Sequence, residues 1–140
     1  MNLGWKTFAL GSALFAALTA LLGRIGVAEM SSDLATFVRT VVILTMSAAV
    51  VTARSEWVRP QNLSASALAA ILMSGAATGL SWLCYYRALQ LAPASRVAPV
   101  DKLSVVLVVV FGALFLHEEL TWKVGVGAAF VSLGAAIMVM

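Results

Sequence analysis

The stretch RVAPVDKLSVVLVVVFGALFL, Arg96–Leu116, decides the fold. From Leu103 to Leu116 it carries no charge, and with Ser95 it reaches the length of ~20 residues that crosses about 30 Å of hydrocarbon as a helix. Yet an acid and a base, Asp101 and Lys102, stand together near its mouth. Either one at the centre of a membrane helix costs about 2.5–3.5 kcal/mol. The pair therefore sits where water still reaches, or is kept because the protein uses it.

The rest of the chain is equally apolar. Of 140 residues, 62% are hydrophobic and 11% charged, whereas a soluble domain carries roughly 25% charged residues. A chain this short has too much surface per volume to hide so much apolar area from water. The composition implies an all-α integral membrane protein. The net charge of +3 is scattered, without a basic run, so no nucleic-acid partner is expected. The one cysteine, Cys84, excludes an intramolecular disulfide and reads as a small packing residue. Lys6 precedes an apolar run in the manner of a signal peptide. However, Thr7 to Gly23 is long for such a segment, and further spans follow at once.

Charges and turn residues divide the chain into five expected transmembrane helices, 5–27, 34–53, 65–91, 95–116 and 122–140. Helices are favoured because lipid offers no partner to a backbone N–H or C=O group, and strand alternation is absent. Asp33, after MSS, is the expected N-cap of the second helix. RSEWVRPQNLS is the longest polar connection. APAS is a tight turn in which Pro93 breaks the helix, and HEELTW turns into the last span. Pro99 falls about one turn into the fourth helix, where missing N–H groups are tolerated, and predicts an irregular backbone near Asp101.

Five spans put the termini on opposite sides. Lys6, Arg54, Arg59 and Lys123 then face one side, and Arg24, Arg39, Arg87, Arg96 and Lys102 the other, four against five. Membrane proteins are oriented by a Lys and Arg bias between sides, and here there is almost none. The chain inserts both ways, or something other than charge orients it. Small residues let membrane helices approach closely. Gly75 and Gly79 on the third helix, and Ala128, Ser132 and Ala136 with Gly134 on the fifth, are candidate contacts, either within one chain or in a homodimer through the last helix.

Arg39 is the most informative single residue, about two turns into the second helix. It either snorkels to the interface or faces a polar cavity. Arg24, Arg87 and Lys102 lie near helix ends on the same side and could line one vestibule with it, partly balanced by Asp33 and Asp101. Neighbours on a helix are about 100° apart, so Asp101 and Lys102 are not expected to pair with each other. Arg39 or Arg24 is then the candidate partner of Asp101, leaving Lys102 for a substrate or a lipid headgroup. In SWLCYYRAL, Trp82 and Tyr86 share a helix face and Tyr85 lies beside it. They read as interfacial anchors or as the aromatic wall of a substrate cavity. The loop of His117, Glu118 and Glu119 reads as a solvated turn. No metal-ligand spacing, phosphate loop or nucleophile–base arrangement stands out, so neither an enzyme nor a cofactor is expected.

The residues YYRALQLAPASRVAPVDKLSVVLVVVFGALFLHEELTW, 85–122, resemble the end of an EamA domain, the repeat unit of the drug/metabolite transporter superfamily. The aromatic pair Tyr85-Tyr86, the RAL of Arg87 to Leu89, the turn Ala92 to Ser95, the segment Phe111 to Glu119 and the Gly-rich last helix carry the likeness. Phe15 to Val27 matches the opening, with Arg24 at its basic position. The resemblance implies a five-span, single-domain transporter of a small metabolite in the cell inner membrane. Most relatives carry two such units as an inverted repeat, whose copies enclose a site and alternate its access. One copy with balanced charges restores that arrangement as an inverted homodimer. The related four-span multidrug carriers depend on an acid in the first helix, and Ala9 to Gly23 has none. The basic vestibule leans instead toward anionic or zwitterionic cargo. Two alternatives stay open: a carrier of lipid headgroups, and a non-transporting partner of another membrane protein.

Overall fold

The structure is a computed structural model that describes residues 4–58 and 63–140. Its helices are α1 Trp5–Glu29, α2 Ser32–Ala53, α3 Ala65–Leu91, α4 Ala94–Asp101, α5 Ser104–Phe115 and α6 Trp122–Val139. No strand occurs among the described residues. Five segments are long and apolar enough to cross a membrane: α1, α2, α3, the stretch Ala94–Phe115 that holds α4 and α5, and α6. Large apolar side chains such as Phe15, Leu72 and Phe130 are exposed along these helices. In water that surface would be untenable, but lipid solvates it. Arg59, counted above among the basic residues, lies outside the described residues.

Side chains that back-bond or cap account for many of the polar groups in the spans. Thr36 and Thr40 each donate to the carbonyl four residues earlier, at 2.8 Å. Ser47, Thr52, Thr78 and Ser132 do the same. A hydroxyl in hydrocarbon thus finds an acceptor in its own helix. Ser31 caps α2, its Oγ accepting from the Leu34 amide at 3.3 Å. Asp33 was the expected cap. It lies instead in the first turn, where its carboxylate meets the positive end of the helix dipole. Ser64 and Thr121 accept in the same way at the starts of α3 and α6. At the end of α2, Ser55 takes a left-handed conformation (φ 55°), and the Glu56 amide closes on the Val51 carbonyl at 3.0 Å. That is a C-terminal Schellman closure with serine where glycine is usual.

The expected fourth helix is two. The missing N–H of Pro99 and the polar pair after it coincide with a break between Asp101 and Ser104. Amides of Leu103, Val105 and Val106 reach back three residues, the tighter 3₁₀ pattern, before α5 resumes. This turn overturns the expectation that Asp101 and Lys102 cannot pair. The 100° argument holds only on a continuous helix, and here Lys102 Nζ lies 3.4 Å from Asp101 Oδ2, with both side chains part-exposed. Cys84 is exposed, so it lies on the outer surface of its helix and not in the core.

The chain divides into two compact units, Met1–Leu21 with Leu91–Met140, and Leu22–Gln90. In the first, α6 packs on α4 and α5. Ala135 is buried, Ala128 and Ser132 are half-covered, and Gly134 and Ala136 are exposed. In the second, the last turns of α1 and α3 lie side by side. A Cβ on Gly23 would stand 3.4 Å from Leu89 Cδ1, and Leu89 is fully buried. Leu89→Ala should therefore lower stability by about 2 kcal/mol, the cost of the cavity. Leu44→Ala, at an exposed position of α2, should change it by less than about 0.5 kcal/mol. Reversible unfolding in mixed micelles measures both.

Candidate functional site

The second unit gathers most of the polar residues singled out in the sequence. Arg24, from the last turns of α1, donates through Nη1 to the Leu89 carbonyl and, at 3.4 Å, to that of Gln90 at the end of α3. Gln90 returns the contact. Its amide donates to the carbonyls of Met30 at 3.0 Å and Val27 at 3.4 Å, at the end of α1. Arg87 donates to Gln90 Oε1 at 2.9 Å, which orients the amide so that its NH₂ faces α1. Each helix thus caps the other. The last carbonyls of a helix have no partner within it, and a cation there also meets the negative end of its dipole. The arrangement locks α1 to α3 at one end of this unit.

Arg39 stands apart from that lock. α2 carries its guanidinium over the indole of Trp82, with the Tyr86 ring 5.6 Å from Cζ. Trp82 and Tyr86, one turn apart on α3, stack at 6.0 Å between centroids with 26° between planes. Tyr85 meets Tyr86 edge-on at 6.3 Å. The rings present a negative π face to the cation, a contact of about 2 kcal/mol where water is excluded. An aromatic ring face is no substitute for a hydrogen-bond acceptor. Nη1 of Arg39 is buried and has no hydrogen-bond partner among the described residues. Such an unmade bond costs about 1–3 kcal/mol, more for a charged group. The side chain as a whole is half-exposed.

Two residues of this cluster escaped the sequence reading. Gly23 lets Tyr86 approach α1, since a Cβ there would lie 3.2 Å from the Tyr86 hydroxyl. Gln90 completes the lock, and its signal was a lone amide at an apolar helix end. Asp101 and Lys102 belong to the other unit, paired with each other at the break between α4 and α5. The glycines Gly75 and Gly79 have open space where a Cβ would stand, as does Gly134.

The EamA-like transporter family matches residues 3–140 of the chain. A Sinorhizobium sp protein described as "Uncharacterized transporter in cobO 3'region" is 49% identical over 138 residues, covering 99% of this chain and 98% of its own length. No solved structure matches significantly.

The close approach at Gly23 is testable by a double-mutant cycle. Gly23→Ala should push Tyr86 off its stack and destabilise the protein by about 1 kcal/mol, a mild overpacking. Adding Tyr86→Phe, which removes the oxygen nearest the new methyl, should recover at least half of that loss. Strict additivity of the two changes would show that Gly23 and Tyr86 do not meet.

Proposed function

We propose that this chain, which belongs to the EamA-like transporter family, carries a small metabolite across the cell inner membrane as an inverted homodimer with alternating access. The observation that carries the reading is Arg39: a cation within a membrane span, stacked on an aromatic wall, with one donor unused. Ionisable groups inside spans face pathways or partners, because lipid rejects them. A partner inside the protein would make Arg39 structural. A donor without one is poised for something that arrives and leaves.

Three considerations support the pairing. The EamA-like unit of residues 3–140 matches one half of the two-fold arrangement that alternating-access carriers use. The balance of four basic residues against five removes the electrostatic reason for a fixed orientation. The open surfaces at Gly75, Gly79 and Gly134 leave room for a second chain's helices. Trp82, Tyr85 and Tyr86 form the wall of the proposed site and Arg39 its charged centre. Arg24 and Arg87 hold the helix ends that frame it, and Asp101 and Lys102 act as a gating pair in the first unit. Carriage of a lipid headgroup is the second reading, favoured by the same unused donor on Arg39.

Topology decides the pairing. Single cysteines at residue 2 and after residue 140, in a Cys84→Ser background, should each be labelled from both sides of sealed vesicles. A single fixed side for each terminus sinks the inverted homodimer. Arg39→Ala and Lys102→Ala should each reduce uptake by proteoliposomes at least about tenfold while leaving the thermal midpoint within a few degrees, the first because a charged contact with cargo is lost and the second because the gating pair with Asp101 is broken. Loss of folding in both variants would instead make the two residues structural.

A further inference from the structure

Three polar features interrupt the apolar spans, and two are already closed. Lys102 has Asp101 as its counter-charge, and Arg24 and Gln90 have the helix-end carbonyls. Arg39 forms no ion pair among the described residues, and its Nη1 lies buried without an acceptor. We propose that Arg39 on Trp82 is an oxyanion subsite, its guanidinium receiving a carboxylate or phosphate group edge-on; this names the cargo chemistry of the transport reading above and rests on it.

The geometry limits what can bind. A guanidinium has all its donors in one plane and accepts no hydrogen bond. The Trp82 ring lies against the guanidinium carbon, so a new partner approaches the N–H groups from the side away from the indole. Two parallel N–H groups there match the oxygen spacing of a carboxylate or phosphate. A neutral carbonyl could accept one bond but would leave the charge unbalanced in an apolar setting. A cationic group would be repelled.

The wall also keeps the fork in place. Tyr86 stacks on Trp82 and its hydroxyl rests over Gly23, so the aromatic pair is held from α1 and cannot easily rotate away. Asp33, the acid on the same helix, lies near the start of α2 and accepts from the Ser32 hydroxyl at 3.3 Å. The Asp101–Lys102 contact is the one ion pair among the described residues, so no carboxylate of this unit lies on the guanidinium, and an oxyanion reaches it through the part of this half-exposed side chain that is not covered.

The source of the oxyanion is either a soluble metabolite or a phospholipid headgroup, and one experiment separates them. The full chain with Trp5, Trp57 and Trp122 replaced by Phe keeps Trp82 as its single indole. It is held in a non-ionic maltoside micelle, which contains neither phosphate nor carboxylate. Sodium acetate and inorganic phosphate are titrated against sodium chloride at matched ionic strength, and phosphatidylglycerol is titrated separately into the micelle. Trp82 emission should change saturably, and Arg39→Gln should raise the half-saturating concentration about tenfold or more, as loss of a charge-assisted bond implies. Arg39→Lys, which keeps the charge but not the planar fork, should bind more weakly than the parent and guards against a Gln variant that fails to fold. A response to acetate or phosphate assigns a soluble oxyanion, and a response to phosphatidylglycerol alone assigns a headgroup. No response to any of the three, or one that is the same in both Arg39 variants, overturns the subsite. A chain that binds acetate through Arg39 yet moves no solute in vesicles defeats the transport reading and leaves the subsite standing. Uptake of a neutral or cationic solute that is indifferent to Arg39→Gln does the reverse.

Discussion

In hydrocarbon a polar group has no water to fall back on, and that constraint orders this structure more than any hydrophobic core does. Few side chains are buried within the chain, because lipid accepts the apolar ones on the outside. What needs an internal solution is the polar minority. Hydroxyls solve it within their own helix, by bonding to the carbonyl one turn back. Helix ends solve it between helices, through the exchange in which Arg24 caps α3 and Gln90 caps α1. The first solution leaves the helices independent, and the second ties them together. The best-packed region of the second unit, around Leu89 and Tyr86, sits beside that tie.

The spans were legible in the sequence because lipid imposes a length and a composition that nothing else in the chain imitates. Residues 5–27, 34–53 and 65–91 needed little adjustment, and the match of residues 3–140 to the EamA-like family agrees with the motif Tyr85 to Trp122. Local chemistry was harder to read. Ser31 and Asp33 both suit an N-cap, and only the backbone decides between them, since Ser31 is extended and Asp33 helical. The pairing of Asp101 with Lys102 is invisible if residues 95–116 form one continuous helix. Pro99 signalled an irregularity, but its extent is set by how the chain resumes at Ser104. The aromatic face of Trp82 and Tyr86 followed from helical spacing. The guanidinium lying on it did not, because α2 and α3 meet only in three dimensions.

Arg24 and Arg39 show how the same residue type meets opposite surroundings in one unit. Arg24 lies near a helix end, where unpaired carbonyls are plentiful, and its donors find them. Arg39 lies inside α2, where every carbonyl nearby is already engaged by the helix, and an aromatic face is what α3 offers it. A ring attracts the charge but leaves the in-plane donors unmet. Position along the helix, more than residue type, separates a group that fastens helix ends from one whose donor stays unbonded.

Depth gives the proposed inverted pair a further logic. Arg39 is the eighth residue of α2, so at 1.5 Å per residue it lies about 10 Å from the start of that helix and about 21 Å from its end. One chain therefore carries its cradle nearer one face of the membrane than the other. In an inverted pair the second cradle lies nearer the opposite face, at the mirrored depth. Each leaflet is then served by an identical group held by an identical aromatic wall. Exchange of conformations between the two chains would interchange inward-facing and outward-facing states of equal energy, which is what a carrier that must empty on the side opposite to loading requires. A parallel pair would place both cradles at the same depth and lose that symmetry.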